Sequence, residues 1–349
     1  MSETIAQGEA SAGGVVIDGG PLSIEAVAAV AAGDRRVELA DAARSRIEAS
    51  RAAVREVVGG TRAVYGINTG FGSLSRHRIP DPDLRALQLN LVRSHASGVG
   101  PALDPAVVRA AMLLSAASLS RGRSGVRTIL VEQMVACLNA GLTPVVPSRG
   151  SVGASGDLAP LAHIALGLVG EGEMDTPDAR QTAAAALAGA GLSPLELDAK
   201  EGLALINGTH VMAGIGALCL AAAARLQSAA IRAGAMAIDA CRGSDTPLDP
   251  RLHEVRRQPG QAAVAAALRA ALAESTIIPS HKEDDPRVQD PYCLRAMAQV
   301  MGAAFDLIDW CRGVIERELG AVTDNPLIFP EPERPAFLSG GNFHGMPVA

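Results

Sequence analysis

The residues best placed to do chemistry in this chain surround one serine. Residues 150–160 read Gly-Ser-Val-Gly-Ala-Ser-Gly-Asp-Leu-Ala-Pro. Within Ala154-Ser155-Gly156, Ser155 brings a hydroxyl that can be eliminated and Gly156 frees the backbone. The small neighbours let one backbone atom approach another closely. A Gly/Ser/Ala stretch is ordinarily a turn or a helix start. It is not a hydrolase nucleophile elbow, because Gly-x-Ser-x-Gly needs glycine where Asp157 stands. Gly150, Gly153 and Gly156 also miss the dinucleotide fingerprint, and the phosphate-loop pattern lacks its lysine.

Other polar residues stand out by type and setting. Tyr65, one of two tyrosines, lies in the glycine-flanked segment VYGINTGFGSL. It reads either as a loop cap or as a general base, and a base needs nearby positive charge or donors to hold a phenolate. Gln289, Tyr292 and Arg295 are spaced three apart in RVQDPYCLRAMAQVMGA, so a helix or its start puts them on one face. Arg295 is then either part of an ordinary salt-bridged helix start or a bidentate carboxylate holder. Asn207, in LINGTHVM, is an amide in an apolar run, where a satisfied core asparagine is the plain reading. His95, in NLVRSHASGVG, is by itself a helix histidine making one hydrogen bond.

Taken with its flanks, TPVVPSRGSVGASGDLAPLAHIALGLVGEG, the serine block resembles the signature of the histidine and aromatic amino acid ammonia-lyases. The resemblance spans roughly residues 22–349 and five separated motifs. It implies that the Gly156 nitrogen attacks the Ala154 carbonyl and that Ser155 loses its hydroxyl. The product is a methylidene-imidazolone (MIO) electrophile, made without metal or nucleotide. It further implies Tyr65 as base, Asn207 beside the prosthetic group, Gln289 and Tyr292 lining the site, and Arg295 on the substrate carboxylate. Ser94-His95 resembles the selectivity element that accompanies histidine, so the expected reaction is deamination of L-histidine to urocanate. Phe343 and His344, in SGGNFHG, resemble a loop that closes the site from a neighbouring subunit, and a homotetramer with shared sites is expected.

The chain departs from the family pattern at Ala298, where proline is common, at Met346, where glutamate is usual, and at His210, where glutamine is frequent. Family members run on further, so a C-terminal truncation is expected. The rival readings are a tyrosine or phenylalanine lyase, an aminomutase, and a non-catalytic relative serving as a binding or assembly partner.

These residues need a scaffold, and composition indicates its kind. Of 349 residues 48% are hydrophobic but only 2% aromatic, so the core must be built from Ala, Leu, Val and Ile. Charges of both signs are spread over a net −6, which argues against a nucleic-acid binder or a basic membrane face. Cys137, Cys219, Cys241, Cys293 and Cys311 are scattered and never in Cys-x-x-Cys spacing, which favours a reducing cytoplasm. The uncharged stretch 203–224 reads as a buried core helix, interrupted by Asn207, Thr209 and His210. Arg121, Arg123 and Arg127 read as a salt-bridged turn or subunit contact. His77, His163, His253 and His281 lack metal-ligand spacing.

The pattern predicts a mainly α protein, a long-helix bundle of the fumarase/aspartase-like kind with a smaller N-terminal MIO-bearing domain. A flexible tail is expected over 1–19, the MIO-bearing domain over 20–200 and a helical domain over 201–349. Helical periodicity covers 22–58, with a loop over 59–80. Helices are expected over 82–96, 104–120, 126–140 and from Asp157 to about Val169, where the helix N-terminus would face the prosthetic group. A surface excursion follows over 171–200, then long helices near 205–240, 259–274 and 292–318. Short strands are expected within 1–30 and 320–340.

Overall fold

The computed structural model describes residues 13–70, 75, 77–283, 285–331 and 333–349. It is mainly helical and divides into two compact units. One joins Ala12–Leu218 to Val314–Ala349, and the other comprises Cys219–Gly313. Most of the expected tail falls in residues 1–12, outside the described residues. Its end is ordered: β1 (Val15–Ile17) pairs in parallel with β2 (Val37–Leu39).

The expected helical run over 22–58 is two helices around β2, α1 (Ile24–Ala32) and α2 (Asp41–Gly59). Ser23 caps the start of α1, and Gly33 ends it in the left-handed conformation, which glycine tolerates without strain. Next come α3 (Leu84–His95), β3 (Val99–Ala102) and α4 (Pro105–Ser120). Asp104 and Pro105 start α4 as cap and first residue. Every residue from Val108 to Ser120 is buried, so α4 is enclosed on all sides and forms the centre of its unit. Arg109, buried within it, donates to Val30 O, Ala31 O and Leu138 O. It thereby satisfies carbonyls at the ends of α1 and of α5 (Thr128–Asn139).

Beyond α5 lie β4 (Thr143–Pro144), β5 (Pro147–Arg149) and α6 (Leu158–Leu168). The expected excursion holds β6 (Glu173–Asp175), β7 (Arg180–Thr182) and α7 (Ala183–Gly189). β4, β6 and β7 form one antiparallel sheet, and β3 pairs antiparallel with β5. The helix expected over 205–240 is divided at 207–209 into α8 (Glu201–Ile206) and α9 (His210–Ala240). Between them the Asn207 amide and the Thr209 hydroxyl bond to residues beyond position 317, which fixes a turn in place of a continuous helix. The most apolar window of 201–240 has mean hydropathy 1.6 and is 72% buried within the protein, as a core helix should be.

The other unit holds the rest of α9 with α10 (Pro250–Arg256), α11 (Pro259–Leu272), α12 (Ile277–Ser280), α13 (Tyr292–Arg295) and most of α14 (Met297–Leu319). Ile238, Val264, Leu268, Leu272 and Leu294 form its core. α11 and α14 touch backbone to backbone: a Cβ on Gly302 would lie 2.4 Å from Gln261 Cα. The end of α14 returns to the first unit, where Arg121 donates to Leu319 O and Ala321 O. The hairpin β8 (Leu327–Phe329) and β9 (Ala336–Leu338) follows it.

Candidate active site

Three helix ends meet at the serine block. α3, α6 and α8 pack on one another. α3 ends at His95 and α8 at Asn207, while α6 begins just after Asp157. The β3–β5 pair joins the end of α3 to the segment leading into the block.

The triplet itself is a tight turn. Gly156 N–H donates to Gly153 O at 3.3 Å, and Ala154 and Gly156 are close enough to form a β-bridge contact. Gly156 has φ +73°, in the region that favours glycine. A Cβ at this position would lie 2.3 Å from Gly208 O and 2.9 Å from Phe343 O. The bare Gly156 backbone is therefore held between the 207–209 turn and the 343–345 loop. A ring closed from Ala154 to Gly156 requires such a close approach and the absence of a side chain at 156, so the residues present fit the implied group.

Asp157 locks this turn in place. Its backbone N–H donates to Gly208 O at 2.8 Å. The buried carboxylate accepts from Ser151 Oγ at 2.9 Å, Val211 N–H at 3.0 Å and Met212 N–H at 2.9 Å. Burial pushes its pKa up, and these three bonds pull it down. Asp157 thus satisfies free amides in the first turn of α9, as well as preceding the expected α6. The break at Asn-Gly-Thr was the sequence signal for this second N-terminus, and helical periodicity passes over it.

Asn207 is buried and donates from Nδ2 to Asn325 O at 3.1 Å and Asp324 Oδ1 at 3.4 Å. The other Asp324 oxygen lies 2.6 Å from Lys200 Nζ. Neither Lys200 nor Asp324 was a candidate from sequence, since their identities reveal nothing until positions 124 apart in the chain fold together. Burial lowers the Lys200 pKa, against the pull of Asp324. Thr209 bonds through its hydroxyl to Glu318, and its N–H donates to Thr323 Oγ1 at 3.3 Å. His210 Nδ1 lies 3.1 Å from Ser115 Oγ. Burial, aided by Arg121, lowers the His210 pKa to about 4, and its Nε2 is without a partner among the described residues.

Tyr65 begins a turn, half-buried, next to Gly66 at φ +73°. A Cβ on Gly66 would lie 2.5 Å from Leu203 of α8, so this turn sits against the helix that carries Asn207. Asn68 braces it, accepting from Val64 N–H and donating to Val57 O and Arg62 O. Residues 71–74 and 76, within the loop expected over 59–80, lie outside the described residues.

His95 Nδ1 lies 2.9 Å from Leu91 O and 3.1 Å from Ser94 Oγ. Leu91 O can only accept, so Nδ1 is a donor there, and in the neutral ring Nε2 is the acceptor. At the chain's end, Gly345 N–H donates to Gly153 O at 2.8 Å. The 343–345 loop, which the resemblance has closing a site from a neighbouring subunit, therefore lies against the serine block of its own chain.

Gln289, Tyr292 and Arg295 belong to the other unit. Gln289 and Tyr292 are exposed, and the Arg295 guanidinium stacks 4.2 Å from the Tyr292 ring centroid. Gln289 and Arg295 line a pocket of about 560 Å³ together with Asp245, Lys282, Asp285 and Arg287. Arg295 Nε is buried without a partner among the described residues.

A family model described as aromatic amino acid lyase matches residues 22–349. Histidine ammonia-lyase of Anaeromyxobacter dehalogenans is 51% identical over 343 residues, covering 96% of this chain and 67% of that relative. The crystal structure of histidine ammonia-lyase from Trypanosoma cruzi matches with a TM-score of 0.86 at 38% identity, over 96% of this chain and 62% of that one. Tyrosine aminomutase from Streptomyces globisporus matches with a TM-score of 0.87 at 36% identity, over 96% and 66%. The chain spans about two thirds of the length of these relatives. Matched from Leu22 to its last residue and half identical to a relative over nearly all of its length, the chain belongs to the aromatic amino acid lyase family.

Proposed function

We propose that this chain eliminates ammonia from L-histidine, giving urocanate, at a site built on Ala154-Ser155-Gly156. The observation that carries this reading is the bare Gly156 backbone held against Gly208, with Ser94-His95 at the end of α3, which the β3–β5 pair joins to the segment leading into the block. The MIO group formed from the triplet supplies the electrophile for the substrate amine. Tyr65 takes the β-proton as general base. Arg295 binds the carboxylate with its planar fork, and Gln289 and Tyr292 line the same end of the substrate. His95 Nε2 accepts a hydrogen bond from the substrate imidazole N–H. Asn207 meets the substrate's reacting end, and Phe343 closes the pocket over the block. The N-termini of α6 and α9 supply positive potential beside the triplet.

Tyr65, the triplet and Asn207 lie in one unit and Gln289, Tyr292 and Arg295 in the other, which supports sites shared among subunits of a homotetramer. Five free, scattered cysteines support a cytoplasmic setting for this step of histidine degradation.

The test is to incubate the purified chain with L-histidine, L-tyrosine and L-phenylalanine separately, following the conjugated acid by ultraviolet absorbance. Intact mass is measured alongside. Urocanate from histidine alone is expected, with a mass lower by two water molecules. Product from tyrosine or phenylalanine alone overturns the substrate assignment, and an unmodified mass supports a non-catalytic relative. The tyrosine aminomutase match favours a second reading, migration of the amine to the β-carbon, which a β-amino acid among the products would establish.

A further inference from the structure

We infer that Lys200 and Asp324 are positioning residues whose buried ion pair fixes the Asn207 amide with its oxygen left to meet the substrate's ammonium. The inference rests on the lyase reading and concerns how its amine is recognised. Lys200 is 0% exposed and Asp324 2%, with Nζ 2.6 Å from Oδ2. The remaining oxygen, Oδ1, accepts from Asn325 N–H at 2.6 Å and Asn207 Nδ2 at 3.4 Å. The second Asn207 amide hydrogen goes to Asn325 O, 3.1 Å away.

Both partners of Asn207 Nδ2 are oxygens with no proton to give. A flipped amide would set oxygen against oxygen twice, so the NH₂ must face inward. Only Oδ1 then remains for the reaction site, and it is an acceptor. An ammonium can donate to it, whereas a carboxylate cannot. The arrangement uses both Asp324 oxygens as acceptors: Lys200 Nζ, which can only donate as an ammonium, lies 2.6 Å from Oδ2, and Oδ1 is left for Asn325 N–H and Asn207 Nδ2.

The backbone supports a positioning role. Lys200 has φ +74°, a strained conformation for a residue with a side chain, and it precedes α8, the six-residue helix that ends at Asn207. Such an ion pair contributes little stability over an apolar pair of the same volume, because both charges are desolvated. Its consequence here is the orientation of one amide.

The experiment measures calorimetric binding of two ligands that are not turned over, D-histidine and imidazolepropionate, which lacks the amine. The wild-type chain is compared with Asp324→Asn and with the double variant Lys200→Met/Asp324→Leu, which removes both charges together. Asp324→Asn presents an NH₂ or a mismatched oxygen to Asn207 and frustrates its orientation. Loss of a hydrogen bond to a charged group predicts D-histidine affinity lower by about tenfold, with imidazolepropionate affinity unchanged. The double variant is expected to show the same selective loss, and it carries the test if Asp324→Asn fails to fold. Equal loss for both ligands, or loss for neither, overturns the positioning role. A wild-type chain that binds neither ligand overturns the lyase reading and this inference with it.

Discussion

At the scale of single residues, the site depends on which atoms are already committed. His95 spends Nδ1–H on its own helix, so in the neutral ring its remaining nitrogen accepts. Replacing it with alanine removes one hydrogen bond to a substrate imidazole. His95→Ala is expected to raise KM for L-histidine by about tenfold with kcat less affected, as loss of ground-state binding does. Unchanged steady-state kinetics on histidine would remove His95 from the substrate site. His210 is a different case, a buried histidine whose pKa falls to about 4. Between pH 6.5 and 4 the unfolded chain holds a proton here that the folded chain does not, so stability falls as pH falls through that window. The integrated effect is about 3 kcal/mol. His210→Gln, a neutral amide, cannot take that proton and is expected to flatten the decline in Tm from pH 7 to pH 4.5. Parallel Tm curves would show that His210 does not titrate this way. Ser155 and His95 were legible in the sequence because their neighbours carry the pattern. Lys200, Asp324 and His210 were not, because burial and partners from distant segments give them meaning.

At the scale of elements, one carboxylate links the serine block to a long helix. Asp157 follows the triplet directly and accepts from two amides in the first turn of α9. Asp157→Ala leaves those amides unsatisfied and should cost about 1–2 kcal/mol, the usual effect of losing a helix cap. It also releases the turn that holds Gly156 against Gly208, so the chain is expected to keep its unmodified mass in addition to melting earlier. A variant with wild-type Tm and mass would show that the cap holds nothing in place. Most helices here were readable from apolar period and from caps such as Ser23 and Asp104. The polar interruption at 207–210 was visible, but apolar periodicity on both sides hid that it divides the helix. Tertiary bonds to Asp324, Asn325 and Glu318 decide it. The two-to-four-residue strands β3, β4 and β5 were likewise unreadable, since pieces that short have no period to detect.

At the scale of the molecule, the chain leaves its first unit within α9 and returns within α14, so each unit is assembled from more than one sequence neighbourhood. Sequence composition gives no sign of that return, which places Asp324 and Phe343 beside residues met more than 100 positions earlier. The unit between carries an exposed apolar stripe on α14. Val300, Leu307 and Trp310 are 70%, 62% and 68% exposed, and spacings of seven and three put them on one helix face. A stripe of this kind marks a contact surface. It suits the proposed tetramer, in which one subunit's Arg295 completes another's site. Trp310 is the chain's only tryptophan, so its fluorescence reports on this face alone. The wild-type chain is expected to sediment as an oligomer with blue-shifted emission from a buried indole. Leu307→Glu sets a charge in the contact, which should reduce the sedimenting mass, move the emission to the red and abolish histidine turnover together. Solvated emission from the wild type, or wild-type mass in the variant, would mean that the stripe is not where subunits meet.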